Sequence, residues 1–163
     1  MSAAPAEVTA ADVAGLFTTY KKLKESDRGR VNLALERIMR SRCQFVSGNR
    51  AIDIAIALEV LFMNVDRDEH SYKISLRAAR LLRKDLKTRR RTFLEVKRLY
   101  DMRSSMVHSG SVKNEYRIDG TSVPAHEIVE AVDVVCTEAI RAFLGTGEIP
   151  DDWRDIELGG DGA

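Results

Sequence analysis

Apolar residues recur at helical spacing along almost the whole chain, and no stretch of strict alternation competes with them. Thr9-Ala10-Ala11-Asp12 opens a first helix through about Lys24, with Leu16, Tyr20 and Leu23 on one side. Asp27 is placed to cap a second helix over about 28–44, whose stripe is Val31, Leu35, Ile38, Met39 and Phe45. Gly48 and Asn49 then punctuate the chain. The third segment, Arg50 to Val65, is apolar nearly all round. Its length and its alanines at 51, 55 and 57 favour a central buried helix over a strand. Asp53 and Glu59 are the two acids on it, and a carboxylate on a buried helix needs a cationic or hydrogen-bonding partner.

A fourth helix is predicted from about Glu69 to Lys84, with Ile74, Ala78, Leu81 and Leu82 facing inward. A fifth runs from about Thr88 to Val107 and carries Phe93, Val96, Tyr100, Met106 and Val107. Residues 109–124 read as a long surface loop in which Asp119-Gly120 could turn a short hairpin. The last helix, Ala125 to Leu144, repeats Ile128, Val132, Val135, Ala139 and Phe143, and Gly145 and Gly147 stop it. Trp153 in the following tail can dock on the bundle, and Gly159 to Ala163 is expected to be disordered. These elements predict an all-α protein: a bundle of four to five main helices over 28–145, an N-terminal extension over 1–27 and a C-terminal tail over 146–163.

The composition excludes several classes. At 163 residues, with 44% apolar and 31% charged residues, the chain can build one real core. Aromatics at 6% argue against a stacking sheet of the kind that reads single-stranded RNA. No apolar run approaches the length needed to span a membrane, and Met1 to Val8 lacks the pattern of a secretion signal. Cys43 and Cys136 lack metal-ligand spacing and read as reduced, buried thiols, which points to the cytoplasm. No metal motif and no Gly-rich phosphate loop is present, so no cofactor is expected.

A net charge of +1 conceals an asymmetry. Between Arg77 and Arg103 stand eleven Lys/Arg and three acids, whereas from Glu115 onward twelve acids face three arginines. Arg77, Arg80, Arg83, Lys84, Lys87, Arg89, Arg90 and Arg91 form a basic row that is either a solvated helix face or an electrostatic footprint for RNA phosphates. The row leads into Arg103-Ser104-Ser105-Met106-Val107-His108-Ser109-Gly110. An arginine can stabilise charge on a phosphate, and an imidazole can move protons near neutral pH. Five helical steps put the two side chains roughly 140° apart, so they converge only if His108 lies on a frayed last turn. Alternatively, Arg103 pairs with Asp101 or Glu59 while His108 sits at the helix end, favoured there by the dipole. Asp53 and Glu59 are candidates to position Arg103 or Arg80. His70 and His126 read as surface or helix-start residues, and Tyr100 as core.

Ala57-Leu58-Glu59-Val60-Leu61-Phe62, Ser75-Leu76-Arg77-Ala78-Ala79-Arg80-Leu81-Leu82 and Val96-Lys97-Arg98-Leu99-Tyr100-Asp101-Met102-Arg103 through Gly110 occur in that order. Together they resemble the HEPN superfamily, and more closely its Apea-like branch, over roughly Val31 to Phe143. The tail Gly147 to Trp153 is similar too. The resemblance implies a helical bundle that forms a homodimer. For active members it implies metal-independent endoribonuclease chemistry through an R-x(4–6)-H motif, which Arg103 and His108 match. Ser104 stands where active members commonly carry a polar residue, often Asn, Asp or His, and is assigned a supporting role. Ser109 takes the place of a glycine that often follows the histidine. The expected roles are RNA restriction, defence or toxin-like control, with an antitoxin or regulatory protein as a further partner. The alternative is a noncatalytic HEPN module that dimerises and binds RNA or protein.

Overall fold

The computed structural model describes residues 9–63 and 70–159. Among them lie seven helices and one hairpin: α1 (Ala10–Lys22), α2 (Glu25–Arg42), α3 (Ser47–Phe62), α4 (His70–Leu82), α5 (Leu86–Ser109), β1 (Glu115–Ile118), β2 (Thr121–Pro124), α6 (Ala125–Thr146) and α7 (Arg154–Leu158). The architecture is the expected all-α bundle. Helix α3 is its axis and packs against α2, α4, α5 and α6. Ala51, Ile54, Ala55, Leu58, Leu61 and Phe62 are all buried, because a helix apolar on nearly every face has no side to give to water.

Several boundaries move for physical reasons. Helix α3 starts at Ser47, not Arg50, so Gly48 and Asn49 belong to its first turn. Gly48 is needed there because a Cβ would stand 2.7 Å from the Met106 sulfur and 3.0 Å from Val112. That close approach locks the start of α3 to the end of α5. Asp27 does not cap α2; the N-cap is Lys24, without a side-chain bond. Asp27 is instead buried one turn in and accepts the Ile149 backbone N–H at 3.1 Å, with Lys24 and Arg30 each 3.9 Å away. Helix α5 begins two residues early because the Asp85 carboxylate accepts the Thr88 N–H at 2.9 Å. Its core residues are Val96, Leu99 and Met102, while Val107 is half exposed. Helix α6 runs through Gly145 and ends at Gly147, which takes the left-handed conformation at φ 84°. Glu69, Val65 and Gly160 to Ala163 lie outside the described residues, as do the expectations made for them.

The hairpin expected at Asp119-Gly120 is present: both residues have positive φ (48° and 81°), as a tight two-residue turn requires. Its inward side chains, Ile118 and Val123, join the core. Two apolar expectations fail. Helix α1 fully buries none of its own residues: Leu16 is exposed, Tyr20 is half-buried against the core, and Leu23, beyond the helix, enters it. On α2, Val31 and Ile38 are buried with Ala34, whereas Leu35 and Met39 are exposed and Phe45, past the helix, is fully exposed. Cys43 is exposed as well, against the buried thiol expected; Cys136 is buried, and burial pushes its thiol pKa up.

The tail is part of the bundle rather than an appendage. Trp153 is buried against Phe62 and Phe143, with ring centroids 5.5 and 6.2 Å away. Ile149 and Ile156 are buried beside it, so the segment after α6 closes one end of the core.

Candidate nucleic-acid interface

Helix α5 remains regular through Ser109, and Gly110 (φ 67°) ends it by donating its N–H to the Met106 carbonyl at 3.0 Å. His108 is therefore inside the helix, and the frayed turn that would swing it toward Arg103 does not form. The two side chains leave the axis about 140° apart. Arg103 shares a face with Tyr100 and Val107, and His108 shares one with Asp101 and Ser104. Arg103, Ser104 and His108 are all exposed. Neither Arg103 nor His108 makes a hydrogen bond or ion pair with another described residue. Asp101, a possible partner of Arg103, instead pairs with Arg98 at 2.7 Å.

Of the two acids of α3, Asp53 serves different neighbours from those expected, whereas Glu59 lies close to one of them. Asp53 is gripped by α2 and the turn after it: Gln44 Nε2 donates to it at 2.6 Å, and Arg37 and Arg40 of α2 lie 3.4 and 3.5 Å away. It positions neither Arg103 nor Arg80. Glu59 lies against Tyr100, whose hydroxyl is held well above its ordinary pKa, first by burial and then by the Glu59 charge. Arg103 acts on the same hydroxyl in the opposite direction, so Glu59, Tyr100 and Arg103 form one electrostatic group. Glu59 thus approaches Arg103 through Tyr100 rather than as a direct ion pair.

The basic row divides once each guanidinium is followed to its partner. Arg77 is buried: it donates to Glu157 at 2.7 Å and to the Phe62 carbonyl at 2.6 Å, and lies over the Trp153 ring. It is a structural clamp on the tail, not a surface phosphate ligand. Arg80 lies beside Gly159, where a Cβ would meet its guanidinium at 3.1 Å. Arg83 pairs with Glu138 at 2.7 Å and donates to Thr92 at 3.1 Å. Arg89 donates to the Arg83 carbonyl at 2.7 Å, Arg90 pairs with Asp119 at 2.7 Å, and Arg91 pairs with Glu95. Lys84 and Lys87 are exposed, and neither pairs with a described residue. Spacing along a helix reveals only the Arg91–Glu95 pair of α5; the carboxylate partners of Arg77, Arg83 and Arg90 come from the tail, α6 and the hairpin.

A group of residues that carries no sequence motif lies next to the end of α5. The first residues of α3, the segment leading into β1 and the first residues of α6 enclose a cavity of about 420 Å³, lined in part by Ser47, Lys113, Asn114 and His126. His126 is the helix-start residue expected, but the cavity it lines joins segments far apart in sequence. The Ala125 N–H donates to the Asn114 carbonyl at 2.8 Å and ties two of those segments together. Elsewhere, His70 is half-buried, with its Nε2 enclosed and without a hydrogen-bond partner among the described residues. No three His, Cys, Asp or Glu side chains converge to hold a metal among the described residues. No helix among them is long and apolar enough to cross a membrane. Comparison with known proteins returns no match among family models, curated proteins or solved structures.

Proposed function

We propose that this chain is a HEPN-type, metal-independent endoribonuclease that acts as a homodimer in the cytoplasm, in RNA restriction, defence or toxin-like control. The observation that carries this reading is the state of the end of α5. An arginine, a serine and a histidine are exposed there, and neither the arginine nor the histidine has a hydrogen-bond or ion-pair partner among the described residues, although Arg98 one turn earlier and several arginines of the upstream row are paired with acids. A cation left without a carboxylate is available to a phosphate.

In the reaction, the RNA 2′-hydroxyl gives up its proton and its oxygen bonds to the adjacent phosphorus. The bond from phosphorus to the 5′-oxygen breaks, and that oxygen takes a proton. The products are a 2′,3′-cyclic phosphate and a free 5′-hydroxyl. Arg103 holds the phosphate and stabilises the charge that builds on its oxygens. One His108 accepts the first proton and the partner's His108 supplies the second. The helical geometry supports the need for two copies, because Arg103 and His108 on one regular helix face different ways. Val107, half exposed on the Arg103 face, is a surface for the second copy to cover.

The test is cleavage of structured and unstructured RNA in EDTA by the wild type, Arg103→Ala and His108→Ala, with size and melting temperature followed in parallel. Loss of cleavage in both folded variants supports the enzyme, whereas equal cleavage by all three marks a contaminant and sinks it. Steeply salt-dependent binding without cleavage would instead establish the second reading, a noncatalytic RNA-binding module. The same exposed cations favour that alternative. An antitoxin or regulatory protein would enter as an inhibitor of the same surface.

A further inference from the structure

The cavity beside the end of α5 is the strongest feature that the proposed site does not use. Its lining is rich in donors. The Lys113 ammonium has no carboxylate partner among the described residues, and His126, Asn114 and Ser47, each with a side chain able to donate, line the same space. Helices α3 and α6 also begin here, and neither has a side-chain cap, so first-turn N–H groups add to the same field. The space of about 420 Å³ is larger than a phosphate group and open enough to admit one on a chain.

Phe45 immediately precedes Val46, which itself lines the cavity. It is 102% exposed, an extreme value for a phenylalanine, and it packs on nothing in the bundle. An exposed aromatic ring next to a donor-rich cavity presents the two surfaces that a nucleotide offers in return: a flat base and an anionic phosphate. The location fits a strand rather than a free ion. Gly48, one residue from Ser47, is packed against Met106 of α5, so the cavity and the helix end carrying His108 belong to one end of the bundle.

We propose that this cavity is a nucleotide subsite for single-stranded RNA, with a backbone phosphate held by Lys113, His126, Asn114 and Ser47 and an adjacent base stacked on Phe45. The subsite rests on the reading of α5 as an RNA-facing site and deepens it, by naming a single strand as the substrate form and a nucleotide near the scissile one as the specificity determinant.

The experiment reads binding separately from cleavage. A fluorescent 2′-O-methyl single-stranded oligonucleotide, which has no attacking hydroxyl, is titrated by anisotropy across a range of salt. Lys113→Gln combined with His126→Gln should weaken binding about tenfold at low salt and reduce the salt slope by about 0.7 for each phosphate no longer neutralised. Phe45→Ala should weaken it about tenfold, with Phe45→Tyr close to wild type. All three positions are exposed, and an unchanged melting temperature confirms that the fold is intact. Inorganic phosphate should compete with the oligonucleotide and shift the His126 ring resonances. Unchanged affinity and slope in the double variant overturn the subsite. A phosphate-dependent shift in a protein that does not bind the oligonucleotide also overturns it, in favour of a free-anion site. If the variants lose binding as expected while wild type never cuts ordinary RNA, the subsite stands and the ribonuclease reading fails.

Discussion

The two ends of the bundle treat arginine in opposite ways. At the end closed by the tail, Arg77 is buried with both sides of its guanidinium engaged, by Glu157, the Phe62 carbonyl and the Trp153 ring. At the other end, Arg103 stands in water with no hydrogen-bond or ion-pair partner among the described residues. Both belong to the same run of basic residues, and nothing in their immediate sequence separates them. The difference is mostly tertiary: apart from Glu95, which pairs with Arg91 on α5 itself, the acids that neutralise the row lie on α6, the hairpin and α7, and they reach Arg83, Arg90 and Arg77 without extending to the last turns of α5. Positive charge on the chain is therefore a poor guide to positive charge in solution. Within the row, the exposed cations with neither a hydrogen-bond nor an ion-pair partner among the described residues are Lys84 and Lys87, and Arg103 joins them at the end of α5, so those positions are where an anion gains most.

Substitutions at the two ends should separate cleanly. The largest effect is expected at the open end. Arg103→Ala and His108→Ala should each reduce RNA cleavage by about 10²-fold or more while leaving stability within about 0.5 kcal/mol, as measured by cleavage rate and denaturant unfolding. If either variant unfolds at markedly lower denaturant, the open end is structural and the contrast breaks. At the closed end, Trp153→Ala should cost about 3–5 kcal/mol, because it removes a buried ring from between Phe62 and Phe143. Arg77→Ala should cost roughly 2–4 kcal/mol by leaving the Phe62 carbonyl and Glu157 without their donor. Where these proteins remain folded, their RNA affinity should match wild type; a smaller salt slope would mean that Arg77 also holds phosphate. Next is the Lys84→Gln, Lys87→Gln pair, which should lower the slope of log affinity against log salt by about 0.7 for each phosphate the two lysines neutralise and leave stability unchanged.

The smallest effect is on acid stability. Thr88 hydrogen bonds hold the Asp85 carboxyl below its ordinary value of 3.8, and Thr9 does the same for Asp12. A depressed carboxyl stabilises the folded state above its unfolded pKa, and that contribution is lost as pH falls through the folded one. Both caps should therefore fail only below about pH 3.8, with α1 and the start of α5 exchanging amide protons faster there; Asp85→Asn should weaken that dependence in α5.

The all-α class, the central position of α3 and the stops at Gly110 and Gly147 were legible from periodicity and turn chemistry, because helical stripes and left-handed caps are local properties. The docking of Trp153 was legible as well. Partner choice was not. Asp27 looked like a cap because an acid stood before a helical pattern, yet the backbone N–H of Ile149, far along the chain, claims it. Asp53 was recognisable as an acid in need of a partner, but Arg37, Arg40 and Gln44 on the preceding segment satisfy it rather than Arg80 or Arg103. The stripe on α2 looked uniform, although a helix at the edge of a bundle buries only the half that faces α3, which leaves Leu35 and Met39 outside. Arg103 and His108 could be named from the sequence, whereas the absence of hydrogen-bond or ion-pair partners required the fold. The cavity around Lys113 and His126 had no sequence signal, since its walls come from three separate segments.

The clamp at Arg77 also imposes an order in time. The rest of the latch, Phe62 of α3, Arg77 itself and Phe143 of α6, is synthesised before Trp153 and Glu157. A nascent chain that has reached Gly147 holds two bare phenylalanine rings and a guanidinium with no acid to meet it. The bundle can collapse at that stage, but it cannot latch. Ribosome pausing, a premature stop codon or proteolytic trimming within this short stretch should therefore yield a protein with its helices formed and its hydrophobic interior open to chaperones.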